Sequence, residues 1–356
     1  MTVSVALLIA SAFGQSAGDF TTIQGPLLAP SSLSWGDQTT IGSPAVLQRA
    51  VSFFGTQHVT VIFYETRIGP ATTACPAGEW GIGVAWSLNN GGVVDFGEVV
   101  LPTADTYYSC VAAHPSVVSL GSDTWAVYFK AEQDTTSCDP LTSPWGCDRY
   151  SGVGRFSIQY TGGGGNLFLF DYSDPDGNPV LQQVAQDMGY PSVMYNDGQF
   201  RMAFAQNPDI YTMSSPFTGF PAAAPPELAI ASGSGSGVPS WNEDELHSPS
   251  IYCDTAGSGR IAVGGRDFAS FPTLAEQSVG MYTSSDLATW SEGAWPYLQY
   301  TVDGYEVRHL DMTTSGAGAG HGLWFTAPDP ADGVNKLFLA RTAAFNRRDI
   351  DDKRCP

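Results

Sequence analysis

Apolar residues in this 356-residue chain fall in short runs broken by glycine, proline, asparagine and aspartate, and no long segment places them at helical spacing. Short β-rich runs bounded by turn residues read as strands. One arrangement of runs repeats. Ser43-Pro44-Ala45-Val46, His114-Pro115-Ser116-Val117, Tyr190-Pro191-Ser192-Val193 and Ser248-Pro249-Ser250-Ile251 share a variable residue, then Pro, a small residue and a β-branched one. Each leads through a turn into a second apolar run, at 59–64, 125–129, 200–204 and 261–264. Third runs follow at 81–87, 152–160, 209–214 and 278–284. The turn Asn196-Asp197-Gly198 between two such runs is a strong hairpin signal. Proline fits the first residues of a strand, where its missing N–H need not interrupt a ladder. A less regular fifth unit runs through 305–310, 322–326 and 336–341.

Units of this size, recurring roughly every 60–75 residues, predict an all-β fold: a five-bladed β-propeller of four-stranded antiparallel blades with long loops. The competing architecture is a pair of β-sandwiches. The Pro-led strand at one place in every unit favours the propeller. The expected organisation is a signal peptide over 1–14, an N-terminal arm over 15–39, the propeller over 40–345 and a charged tail over 346–356.

Composition agrees with many short strands. Gly (40), Pro (24) and aromatics (Trp 9, Tyr 15, Phe 19) are plentiful, while charged residues make up only 14%. The net charge of −20 disfavours nucleic acid or an anionic membrane as a partner. Residues 3–13 have the length of a signal-peptide apolar region and are too short to span a bilayer. The expected location is therefore extracellular or periplasmic, and the expected state a monomer. Six cysteines without a Cys-x-x-Cys pair fit disulfides rather than structural zinc. Cys138 and Cys147 are the nearest local pair, but fifteen connectivities remain open.

The run Ser278-Val279-Gly280-Met281-Tyr282-Thr283-Ser284-Ser285-Asp286-Leu287-Ala288-Thr289-Trp290 resembles the blade ending of five-bladed glycosidases, glycoside hydrolase family 43 and its relatives in families 32, 62, 68 and 130. Gly81-Ile82-Gly83-Val84-Ala85-Trp86-Ser87 is similar, as are the x-Pro-Ser starts. The resemblance implies a carbohydrate-active propeller acting on an oligo- or polysaccharide, a divergent glycoside hydrolase with its site in the central pocket. It does not carry over the catalytic acids. Family 43 enzymes place Asp directly before Pro in two blades and Glu two residues before Pro in another. Here Ser43, His114 and Tyr190 precede Pro, and His247 stands two before Pro249. Within the repeat, Trp290 reads as packing between blades and Asp286 as a turn cap.

In a propeller the residues just before Pro, and those ending the second runs, converge on one central pocket. The candidate binding residues are therefore His114, Tyr190, His247, Arg266, Arg308 and His309, with Ser43 and Ser248 beside them. His309 is similar to the fifth-blade histidine that lies near the axis in these glycosidases, often close to a bound ion or water. Hydrolysis of a glycoside usually uses two carboxyl groups across the bond. The candidates are Glu65, Glu132, Glu245 and Asp267. The alternative is a non-catalytic recognition propeller on the same scaffold. No metal ligands are expected in the pocket. Asp171, Asp174 and Asp176 offer a possible calcium site, though Pro-Asp-Gly-Asn reads first as a hairpin turn.

Overall fold

A computed structural model of the chain describes residues 20, 22–52, 56–89, 91–133, 150–162, 170–176, 179–184, 188–206, 208–220, 225–233, 245–253, 258–267, 276–292, 307–315, 320–345 and 347. The described residues are almost wholly strand and turn. The first strand is β1 (Thr22–Leu28). A meander follows: β2 (Gly42–Ser52), β3 (Thr56–Gly69), β4 (Glu79–Leu88) and β5 (Val93–Val100). Next come β6 (Val111–Gly121), β7 (Thr124–Glu132) and β8 (Tyr150–Tyr160), with β9 (Phe170–Tyr172) and β10 (Leu181–Val184) both paired to β8. A single parallel bridge, Trp80 to Val111, joins these two groups into one nine-stranded sheet.

Two four-stranded antiparallel sheets follow. The first holds β11 (Met188–Asn196), β12 (Gln199–Gln206), β13 (Asp209–Ser215) and β14 (Glu227–Ile230). The second holds β15 (Glu245–Cys253), β16 (Gly259–Asp267), β17 (Glu276–Ser284) and β18 (Ser291–Glu292). The last sheet runs β19 (His309–Ser315), β20 (Gly320–Pro328) and β21 (Asn335–Arg341), and β1 completes it. Part of the segment expected as an arm is thus an outer strand, and the first and last described strands pair in one sheet. The predicted strand runs lie inside observed strands, except 305–310 of the fifth unit, of which only His309 and Leu310 fall in β19. At the predicted hairpin, Asp197 (φ 47°) and Gly198 (φ 76°) both take positive φ, as a type I′ turn requires.

The core lies between sheets rather than within one. Phe63 and Val84 pack with Phe129 and Phe156; Tyr128 and Val153 with Met202 and Phe204. Met194 and Ile210 pack with Ile261 and Tyr282; Tyr252 and Met281 with Leu323 and Phe338. Trp324 and Leu339 then pack back on Val46 and Ile62 of the first sheet. Strands β2, β6, β11, β15 and β19 therefore stand next to one another in a closed ring. Trp290 packs against the cluster shared by the two complete four-stranded sheets, and Asp286 Oδ1 accepts the N–H groups of Ala288 (2.9 Å) and Thr289 (2.8 Å). Both keep the structural roles expected of them.

The repeat has a hydrogen-bond meaning. The serine after each Pro accepts the main-chain N–H of the β-branched position in the next ring strand. Ser116 Oγ takes Val193 N–H (3.1 Å) and Ser192 Oγ takes Ile251 N–H (3.0 Å). Ser250 Oγ takes Met312 N–H (2.8 Å), and Asp311 Oδ2 takes Val46 N–H (3.0 Å). Asp311 thus fills the serine's place in a unit that has Leu310 instead of Pro. In the first unit that position is Ala45, which has no such acceptor.

The segment expected as a tail contributes Arg347, which is 2% exposed. Its guanidinium lies 5.5 Å from the centre of the Trp324 ring and donates to Ser87 Oγ (3.2 Å), and its carbonyl accepts from Gln48 Nε2. Arg347 thus ties the last sheet to the first. Replacing it with alanine removes a desolvated cation–π contact and buried packing. R347A is expected to lower stability by about 2 kcal/mol, read as an earlier urea midpoint at unchanged slope.

Candidate functional site

Each ring strand carrying Pro is broken at the same place. The pairing register shifts between Gly42 and Ala45, Ala113 and Ser116, Gly189 and Ser192, and His247 and Ser250. The residue before Pro takes a left-handed conformation in all four: Ser43 (φ 35°), His114 (φ 49°), Tyr190 (φ 55°) and Ser248 (φ 48°). Such backbone costs about 1–3 kcal/mol for a non-glycine residue and persists where surroundings over-determine it. A bulge re-aims a side chain, and here the four side chains are aimed at one point. With His309, the first residue of β19, they line one small polar depression, walled also by Pro44, Pro115, Pro191, Pro249 and Leu310.

Glu65 lies beneath this lining. It ends the apolar run of β3 and lies opposite Gly42, where a Cβ would collide with its Oε1. The residue is 2% exposed, and its Oε2 accepts the main-chain N–H of His114 at 2.6 Å. Burial pushes its carboxyl up to about 7, against the opposing pull of the His114 N–H, the Ser43 hydroxyl and the Lys130 charge. Two imidazoles face it from different sheets. His114 Nε2 is 3.6 Å from Oε2, and His309 Nε2 is 3.7 Å from Oε1.

The His114 ring stacks on Tyr190, with centroids 3.7 Å apart and planes 11° from parallel, and its Nδ1 accepts Tyr190 N–H at 3.3 Å. Burial first, then the charges of Lys130, His309 and His247, hold His114 well below the usual histidine range. It is therefore neutral near pH 7, and its approach to Glu65 is not an ion pair. His309 lies 5.5 Å, centroid to centroid, from both His114 and Tyr190. The three rings form a tight aromatic cluster over the carboxyl.

Of the residues expected to converge, His114, Tyr190, His309, Ser43 and Ser248 line the depression. His247 lies deeper, 1% exposed, with Nδ1 3.1 Å from Ser248 Oγ and its ring against Gly264, where a Cβ would collide with it. Arg308 is not among the lining residues; its N–H donates to Thr326 O (2.9 Å) and its carbonyl accepts from Ser248 Oγ (3.3 Å). Glu132 is buried and paired with Lys130 at 2.8 Å. The backbone sets Glu245 opposite Arg266 and Asp267 opposite Glu276; the side chains of Glu245, Arg266 and Asp267 lie outside the described residues.

At the proposed calcium site, Asp176 is held by Arg155 at 2.7 Å and Asp171 is exposed on β9. Among the described residues, the ligand-type atoms within 4.8 Å of one another belong instead to Glu65, His114 and His309. No local spacing announces that trio, because its members are far apart in the chain. The only signals were the pre-Pro position of His114, the end-of-run position of Glu65 and the alignment of His309 with them.

Cys75 and Cys110 form a disulfide, one of the open connectivities, and Cys253 is disulfide-bonded as well. Cys138 and Cys147 lie outside the described residues.

No family model matches the chain, and no curated protein matches it in sequence. Solved structures match it in shape. A structure reported for the GH130 family of mannoside phosphorylases, which contains glycoside hydrolases that target β-1,2-mannosidic linkages in Candida mannan, is 11% identical with a TM-score of 0.60, over 96% of this chain and 98% of that one. An endo-arabinase from Bacteroides thetaiotaomicron is 11% identical with a TM-score of 0.55, over 93% and 99%. A family 117 glycoside hydrolase from the marine bacterium Zobellia galactanivorans is 12% identical with a TM-score of 0.53, over 92% of each chain. With its closed ring of sheets and 92–96% of its length aligned to these structures, the chain has the fold of the glycosidase-like β-propellers.

Proposed function

We propose that this protein is an exported carbohydrate-binding propeller that recognises a sugar at the ring axis and does not hydrolyse it. The fold is read as five antiparallel blades, with the nine-stranded sheet counted as two blades joined at one bridge: β2–β5, and β6–β8 with β9 and β10 both edging β8. Export is supported by the Cys75–Cys110 disulfide, since such bonds persist in oxidising compartments. A saccharide ligand is supported by the enzymes that share the fold and by the polar and aromatic lining.

The observation that carries the non-hydrolytic reading is the carboxylate inventory. Among the described residues none of the depression's lining residues is acidic. Glu65 lies beneath them, 2% exposed and engaged by the His114 N–H. Most glycoside hydrolases use two carboxyl groups roughly 5–10 Å apart with access to the bond. Ser43, His114, Tyr190, Ser248 and His309 offer hydroxyls, ring nitrogens and ring faces, which suit recognition.

The test is a glycan panel read by binding, with wild type beside Tyr190→Ala. The expected result is a saccharide ligand whose affinity falls about tenfold or more in Y190A, equivalent to roughly 1.4 kcal/mol of lost contact. A folded Y190A protein that binds like wild type would remove the ring axis as the site.

A further inference from the structure

We propose that Arg347 marks a buried binding site for one small monovalent anion, of which chloride is the representative, where the last sheet meets the first. Gln48, Thr60 and Ser87 stand in one row across β2, β3 and β4, because Thr60 pairs with Gln48 on one side and Ser87 on the other. Arg347 touches both ends of that row. Its carbonyl accepts from Gln48 Nε2, and its guanidinium donates to Ser87 Oγ at 3.2 Å. It therefore lies across Thr60. Thr60 is 1% exposed and Arg347 2%. Two polar atoms in this place have no hydrogen-bond partner, Arg347 Nε and Thr60 Oγ1. Both can donate, and buried donors are rarely left unmet.

Charge decides what meets these donors. A guanidinium stays protonated inside proteins, and a buried charge persists where something pairs with it. Among the described residues no carboxylate forms an ion pair with Arg347, and burial, then the nearby Arg341 charge, push against its cationic form. The Trp324 ring, 5.5 Å away, compensates over one face of the guanidinium only. An anion accepting from Arg347 Nε and the Thr60 hydroxyl neutralises the remaining charge. A water molecule could bridge the same two groups but would leave that charge uncompensated. Phosphate or sulfate would bring oxygens that this row cannot serve, since Gln48 Nε2 already donates to Arg347 O and the Ser87 hydroxyl donates to Gly91 O at 2.8 Å. None of these residues lines the axial depression, so the proposal is independent of the carbohydrate reading and needs no glycan.

The test is urea unfolding of the full chain while sodium chloride replaces sodium gluconate at constant ionic strength. Raising chloride from about 1 to about 100 mM should increase the folded-to-unfolded ratio of wild type about tenfold, as one site with a dissociation constant of about 10 mM requires. Thr60→Val keeps the shape of the side chain and removes one donor. In gluconate it should be no less stable than wild type, because the hydroxyl it removes has no partner. In chloride its gain should fall below about threefold on the same scale. Arg347→Met should abolish the response. The chloride NMR line should broaden in the presence of folded wild type and sharpen again on addition of bromide, a readout that needs no variant. A wild type indifferent to the exchange, as a bridging water predicts, would overturn the proposal. So would a T60V protein with the full chloride response, or equal responses in wild type and R347M.

Discussion

Asp311→Ala is expected to lower the stability of the whole protein by about 2–4 kcal/mol, because it leaves two buried donors without their acceptor. Asp311 is 4% exposed and sits on β19 between the strands on either side of it. Its Oδ2 accepts Val46 N–H from the first sheet at 3.0 Å, and its Oδ1 accepts the Ser250 hydroxyl at 2.9 Å. Ser250 in turn accepts Met312 N–H at 2.8 Å. Loss of the carboxylate therefore opens the junction where the ring closes and loosens the junction before it. Asp311→Ser restores the residue type used at positions 116, 192 and 250, and should recover part of the loss by accepting Val46 N–H. Urea unfolding of wild type, D311A and D311S is the measurement. Equal midpoints for all three would show that the ring is held by apolar packing alone.

The second large effect is expected from the paired replacement Cys75→Ala with Cys110→Ala. The bond closes a loop of sequence separation 35, and both cysteines are buried. In the chain-entropy account a loop of this length contributes about 3–4 kcal/mol by restricting the unfolded chain. Its position adds to the consequence. Cys110 is followed by Val111, which makes the lone parallel bridge to Trp80, and Cys110 O accepts Trp80 N–H at 3.1 Å. The disulfide thus clamps the place where the first two strand groups meet. The double variant should unfold at markedly lower urea, with hydrogen exchange fastest at Trp80 and Val111. A midpoint within error of wild type would mean that the bridge and the packing around Trp80 suffice.

Much of the fold was legible because turn chemistry and β-branched runs act locally. Asn196-Asp197-Gly198 can hardly be anything but a tight hairpin, and the apolar runs before and after such turns became paired strands. The pre-Pro residues were legible as a set because a repeat puts equivalent residues in equivalent places. What escaped was non-local. Thr22–Leu28 contains Gly25 and Pro26 and reads as turn-rich, yet its pairing with β21 makes it a strand. Asp311 was hidden because its unit lacks the Pro that marks the others. Arg347 looked like part of a solvated tail, and only the Trp324 face and Ser87 explain its burial.

The same division holds at the depression. His114, Tyr190 and His309 could be named from the repeat, but not the fact that two of them would face one carboxyl. Glu65 was nominated for catalysis because it ends a second run. The structure sets it below the lining residues, where burial raises its carboxyl to about 7 and the His114 N–H engages it. A pattern of residue types locates a side chain along a strand, whereas solvent access depends on the strands that close over it.

Binding without cleavage is the central claim, and end-product analysis under saturation tests it most directly. The tightest ligand from the glycan panel should be incubated with excess protein for many binding lifetimes and then examined by mass spectrometry and reducing-end assay. Intact glycan, recovered in full from a protein shown to be saturated, is the predicted result. A shorter saccharide accumulating in proportion to protein and time, and lost in Y190A, would contradict the account and return the missing carboxyl groups to the residues around Glu245 and Asp267.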